Sequence, residues 1–129
     1  MEINIPEVRA ELAAAFDVYE RALVKNDVTA LDALFLNSAE TIRYGGAENL
    51  YGYNQIATFR AARSPIGLAR RLERTVITTY GREFGVASTL FRRETAPGRV
   101  GRQMQTWVKT PAGWKVAAAH VSIIPDPEI

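Results

Sequence analysis

The second half of the chain constrains the fold most. It contains four long stretches, at residues 68–80, 84–95, 99–109 and 113–124. The breaks between them, Tyr80-Gly81-Arg82-Glu83, Ala96-Pro97-Gly98 and Thr110-Pro111-Ala112-Gly113, each carry glycine, proline or both. Breaks of that composition join consecutive antiparallel strands, because glycine reaches left-handed backbone angles and proline pre-sets a turn. A meander of this length needs cover on one face, and the first half of the chain must supply it.

The first half reads on a helical period. From Pro6 to about Lys25, Val8, Leu12, Phe16, Tyr19 and Leu23 recur at three- and four-residue steps, which puts them on one stripe of a helix opening with proline. Asn26-Asp27 stops this helix, and Asp27 caps a second, short one through Leu31, Leu34 and Phe35. Residues 39–44 alternate as a short strand, Gly45-Gly46 turns the chain, and AENLY reads as a loop. A third helix fits Gly52 to Arg63, ended by Ser64-Pro65, since proline disfavours helical geometry in the residue before it. Helices first and a meander last make an α+β fold, expected as one domain over residues 1–129.

Composition removes several classes of function. The chain has no cysteine and a single histidine, which excludes a disulfide framework and a thiol nucleophile and argues against a protein-built zinc centre. A net charge of +2, with arginines scattered among glutamates, lacks the basic stripe of a nucleic-acid binder. The start MEINIPEVRAEL has neither the basic opening nor the apolar run of a signal peptide, and no stretch approaches a membrane span. A cytoplasmic protein without nucleic-acid or membrane partners is expected.

The order helix, short helix, strand, helix and four long antiparallel strands ending in GWKVAAAHVS resembles the NTF2-like (SnoaL-like) superfamily over nearly the whole chain. That resemblance implies a cone of three N-terminal helices packed on a curved, mainly antiparallel sheet. The segment IRYGGAENLYGYNQIATFRAAR is similar to the AtzH-like branch, found with ureido-acid amidohydrolases in cyanuric acid breakdown. The branch includes an enzyme that converts 1,3-dicarboxyurea to allophanate and carbon dioxide. Fold alone decides little about activity, because the superfamily also hosts isomerases, dehydratases and assembly modules.

The candidate residues are mostly cations in apolar company. Arg60 and Arg63 lie on the same side of the third helix as Ile56 and Phe59, where a desolvated guanidinium needs a partner and pairs best with a carboxylate. Each also has a plainer reading, as a bond to a helix-end carbonyl or to Glu48. Arg43 and Tyr44 point to opposite faces of the first strand. The resemblance favours Arg43 as the pocket residue, matched with Tyr19, against a surface pair with Glu40 or Glu48. Ketosteroid isomerase, of the same fold class, uses a tyrosine as an oxyanion donor, which is a precedent by analogy for Tyr19. Alternation along the last strand puts His120 and Ser122 with Trp114, Val116 and Ala118, and Gln103, Gln105 and Trp107 form a row on the strand before.

No acid stands out as the base an isomerase or dehydratase requires: Asp17 and Glu20 fall off the stripe of Tyr19, Asp27 reads as a cap and Asp32 as a surface residue. The resemblance to the AtzH-like branch implies instead decarboxylating hydrolysis of an N-carboxy urea, 1,3-dicarboxyurea to allophanate and carbon dioxide, as the expected function. Tyr19, Arg43 and His120 are its catalytic candidates, and Arg60, Arg63, Gln105 and Ser122 are candidates for binding a small anionic substrate, with no metal or organic cofactor. An isomerase of a small carbonyl acid, or a non-catalytic module partnering an amidohydrolase, are the alternatives. Ile77, Phe91 and Val121, read as lying on the outer sheet face, suggest a homodimer or homotetramer.

Overall fold

A computed structural model describes residues 1–128. Three helices, α1 (Pro6–Val24), α2 (Val28–Leu34) and α3 (Tyr53–Ala62), pack on one face of a sheet built from β1 (Ile42–Tyr44), β2 (Asn49–Tyr51), β3 (Arg71–Tyr80), β4 (Phe84–Arg92), β5 (Arg99–Thr110) and β6 (Gly113–Pro125). The strand order is β2-β1-β6-β5-β4-β3, antiparallel except where β1 runs parallel to β6. This is the α+β fold that the element order implied, with the helices-on-sheet arrangement that the NTF2-like resemblance implied. The segment read as a loop, AENLY, contains β2, which completes a hairpin with β1 across Gly45-Gly46.

Each helix starts and stops where local chemistry requires. Proline opens α1, where its missing N–H is no loss, and the side chain of Asp27 accepts from Ala30 N at 3.1 Å to cap α2. The α1 stripe of Val8, Leu12, Phe16, Tyr19 and Leu23 is buried, as the period required. It meets Leu31, Phe35, Ile56, Ile77, Trp107 and Val116 in one core. Truncating a side chain as enclosed as Leu12 costs about 2–5 kcal/mol, because the cavity it leaves collapses only in part. Arg9 fastens α1 to the sheet by donating to Ile77 O at 3.0 Å.

Register sorts the inner face into levels. Arg43, Ala119, Gln105, Ala87 and Ile77 lie side by side across the sheet; Val121, Gln103 and Thr89 form the next level; Ile123, Gly101, Phe91 and Leu72 form the one beyond. Along β5 the inner row thus runs from Trp107 in the core through Gln105 and Gln103 to Gly101, changing from apolar to polar before the strand ends. Ile77, Phe91 and Val121 belong to this inner face, not to the outer one read from alternation.

A bulge corrects the reading of β6. Trp107 pairs with Val116 and Thr106 with Ala118, so Ala117 has no opposite residue. One extra residue shifts the alternation, because side chains change face at every step. Trp114 and Val116 therefore share the inner face with Ala119, and His120 and Ser122 turn to the outer face. His120 is exposed there beside Tyr44, with ring centroids 5.9 Å apart, and Ser122 Oγ accepts from Arg102 Nη2 at 3.0 Å.

Candidate functional site

The inner face collects five arginines around Tyr19, and they fall into two groups. Three are neutralised by the protein's own carboxylates. Arg43 donates from Nη1 to Glu48 Oε1 at 2.7 Å, Arg60 from Nη1 to Asp32 Oδ1 at 2.5 Å, and Arg70 grips Glu20 through Nε at 2.9 Å and Nη2 at 2.6 Å. Asp32, read from sequence as a surface residue, is half-buried and holds Arg60, which also stacks over Phe35 at 4.6 Å. Glu20, the residue after Tyr19 and beside the apolar stripe of α1, turns to Arg70.

The other two are not neutralised. Arg63 Nε and Nη2 and Arg93 Nε are buried without a hydrogen-bond partner among the described residues. Burial, and then the guanidinium of Arg43, pushes Arg63 below the ordinary arginine value; burial and then Arg70 do the same to Arg93. Tyr19 lies within electrostatic range of both. A cation in this state carries a desolvation cost that an anionic ligand would offset.

Two neutral donors join them. Gln103 and Gln105 are buried, and the Nε2 of each lacks a partner among the described residues. Their oxygens are occupied: Arg70 Nη2 donates to Gln103 Oε1 at 3.0 Å, and Trp107 Nε1 donates to Gln105 Oε1 at 3.1 Å. Every unmet group on Arg63, Arg93, Gln103 and Gln105 is thus a donor. Such a set suits a ligand rich in oxygen acceptors.

Tyr19 is held by aromatic neighbours rather than by a salt link. Its ring packs against Phe16, Phe35 and Trp107 at centroid distances of 6.5, 6.3 and 6.3 Å, the last edge-on. Such packing fixes the ring direction, because a buried ring has few alternative rotamers.

A groove lies close to these donors. With a volume of about 690 Å³, it runs between the entry to β3 and the β4–β5 loop, with Arg70, Arg71, Arg92, Arg93 and Arg99 on its walls against Glu94. Arg70 is a wall common to this groove and to the inner donors, since it reaches Glu20 on one side and Gln103 on the other. Arg70 and Arg93 both stack on the Phe91 ring, at 4.5 and 4.8 Å. Phe91 lies over Gly101, where any Cβ would overlap the ring.

Of the residues singled out from sequence, Tyr19, Arg63 and Gln105 come together on the inner side with Arg43, while Arg60 is drawn aside by Asp32. His120 and Ser122 lie on the opposite face of the sheet. Sequence reasoning missed Arg70, Arg93 and Glu20. Arg70 precedes β3 and Arg93 follows β4, so both lie just outside strands that read as longer in the sequence, where alternation no longer reports a facing.

The model of the AtzH-like family matches residues 1–127. The chain belongs to the AtzH-like family. A crystal structure of a protein of unknown function from Pectobacterium atrosepticum is similar at 53% identity, with a TM-score of 0.92 over 95% of this chain and 94% of that one. A cystatin-like fold protein from Burkholderia xenovorans has 48% identity and a TM-score of 0.94 over 98% and 99% of the two chains. An NTF2-like superfamily protein from Salmonella enterica, at 26% identity, has a TM-score of 0.71 over 90% of each chain. No curated protein matches this AtzH-like chain. No helix among its described residues is long and apolar enough to cross a membrane.

Proposed function

We propose that this AtzH-like chain acts as one domain that removes carbon dioxide from a small N-carboxy urea, converting 1,3-dicarboxyurea to allophanate. The observation that carries the reading is the set of buried, unmet donors on Arg63, Arg93, Gln103 and Gln105 around Tyr19. Arg63 and Arg93 take one carboxylate each, and Arg43, paired with Glu48 through Nη1, offers its other guanidinium N–H groups from β1. Two cations are what a dianion of this size needs to leave water.

The chemical step then needs a proton at nitrogen. The bond between nitrogen and the carboxylate carbon breaks, its electron pair stays on nitrogen, the Tyr19 hydroxyl protonates that nitrogen, and the carboxylate departs as carbon dioxide. Water returns a proton to the phenolate. A positioned donor of this kind contributes about 2–4 kcal/mol to a transition state. His120 and Ser122 have no part in this reading, because they face away from Tyr19. Their outer face, with exposed Met104 beside Val86 and Tyr44, is the surface through which two copies would associate.

Carbon dioxide release from a panel of N-carboxy ureas and ureido acids tests the reading. Release from 1,3-dicarboxyurea, reduced about a hundredfold in Tyr19→Phe and in Arg43→Ala, each confirmed as folded, is the expected result. Activity within about tenfold of wild type in both variants rejects the assignment of these residues.

A further inference from the structure

The two glutamines of β5 are wired in one direction. An amide side chain usually has a choice, since oxygen and nitrogen can exchange places by rotation of the group. Here the choice is removed. Arg70 and the Trp107 indole can only donate, so the face of each amide turned to them must be oxygen. The Arg70 guanidinium is itself fixed by two bonds to Glu20, and Trp107 is wholly buried. Rotating either amide would set N–H against N–H inside the protein, with nothing nearby to relieve it.

The remaining group of each amide is therefore an NH2 facing away from its anchor. Gln103 is 2% exposed and Gln105 1% exposed, and neither Nε2 has a partner among the described residues. Their neighbours on the same face are Val121, Thr89, Ala119 and Ala87. The Thr89 hydroxyl is engaged with Thr75 and with the Glu73 and Leu90 carbonyls, and it makes no hydrogen bond to either amide. Two buried amide groups unmet on one strand, two residues apart, point to an acceptor that the protein does not contain.

We infer that Gln103 and Gln105 form a donor-only selector, which admits a dicarboxylate carrying a carbonyl oxygen at its centre and rejects one whose centre is apolar or donates hydrogen bonds. The inference rests on the dianion reading above, with Arg63 and Arg93 as the carboxylate partners. It adds a requirement on the middle of the ligand, which two arginines alone do not impose. Glu20 and Arg70 act as positioning residues, because they reach the ligand only through the orientation they give Gln103. A buried polar group left unpaired by the wrong ligand is the strongest discriminator available to such a site.

Titration calorimetry with three dicarboxylates of equal chain length tests this on the intact protein: 3-oxoglutarate with a central carbonyl, glutarate with a central methylene, and 3-aminoglutarate with a central ammonium. Wild type is expected to prefer 3-oxoglutarate over each of the others by at least about tenfold. Gln105→Met and Gln103→Met are expected to lose most of that preference while still binding glutarate. Arg63→Met should weaken 3-oxoglutarate and glutarate by the same factor. Equal binding of 3-oxoglutarate and glutarate by wild type overturns the selector and leaves the dianion reading standing. Binding of none of the three, together with no turnover of 1,3-dicarboxyurea, overturns both. A preference that survives intact in both methionine variants also overturns the selector, and the wild-type comparison stands even where a variant fails to fold.

Discussion

Arg60 and Arg63 sit three residues apart at the end of α3, and the structure gives them opposite roles. Arg60 is matched by Asp32, so Arg60→Met leaves a half-buried carboxylate without its cation and should destabilise the protein by about 1–3 kcal/mol. Arg63 has unmet buried nitrogens, so Arg63→Met removes a desolvation cost and should hold or raise Tm while weakening dicarboxylate binding. Thermal melting of the two variants side by side checks this, and a fall in Tm of equal size in both would remove the distinction. The sequence showed that charge stood on an apolar helix face, and it named both arginines as candidates. It did not show which one was satisfied, because the deciding partner, Asp32, is 28 residues away and reads as a surface position.

At the scale of elements, the end of β4 carries Phe91 as a plate between Gly101 and the guanidiniums of Arg70 and Arg93. Gly101→Val would displace that ring, costing about 1–3 kcal/mol of overpacking and a fall in Tm of roughly 5–10 °C. Because the plate also orients Arg93, dicarboxylate affinity should fall with it; calorimetry showing unchanged affinity would detach Phe91 from the site. The meander itself was legible from the glycine and proline breaks, and α1 from its stripe. The bulge at Ala117 was not. Three consecutive alanines, Ala117, Ala118 and Ala119, give no contrast between apolar and polar faces, so nothing in the pattern reports where the alternation slips. That silence is why His120 and Ser122 were placed with the inner residues when they belong outside.

At the scale of the whole molecule, the carboxylates tie distant parts of the chain around the groove. Arg92 pairs with both Asp126 and Glu73, joining the C-terminal segment and β3 to β4. The bond from Arg92, with the Glu128 N–H, holds Asp126 below the usual carboxylate value, and Arg71 followed by Arg92 does so for Glu73. A carboxylate depressed in the folded state adds stability above its unfolded pKa of about 4, and that contribution is lost as the pH falls further. Asp126→Asn should therefore lower Tm at pH 7, with the gap to wild type shrinking as the pH drops below about 4; a gap independent of pH would contradict the linkage. The outer face with exposed Met104 and half-buried Val86 and Tyr44 leads to a second expectation, a dimer by size-exclusion with light scattering, against which a monomer at micromolar concentration would count.

The account's central claim is that cations are kept unpaired inside the cone for a dianion. The most direct measurement is the rate of carbon dioxide release from 1,3-dicarboxyurea by wild type and by Arg63→Met, each confirmed as folded. The account predicts measurable release by wild type and a loss of about a hundredfold in the variant. Equal rates in the two proteins, or none in wild type, would contradict it.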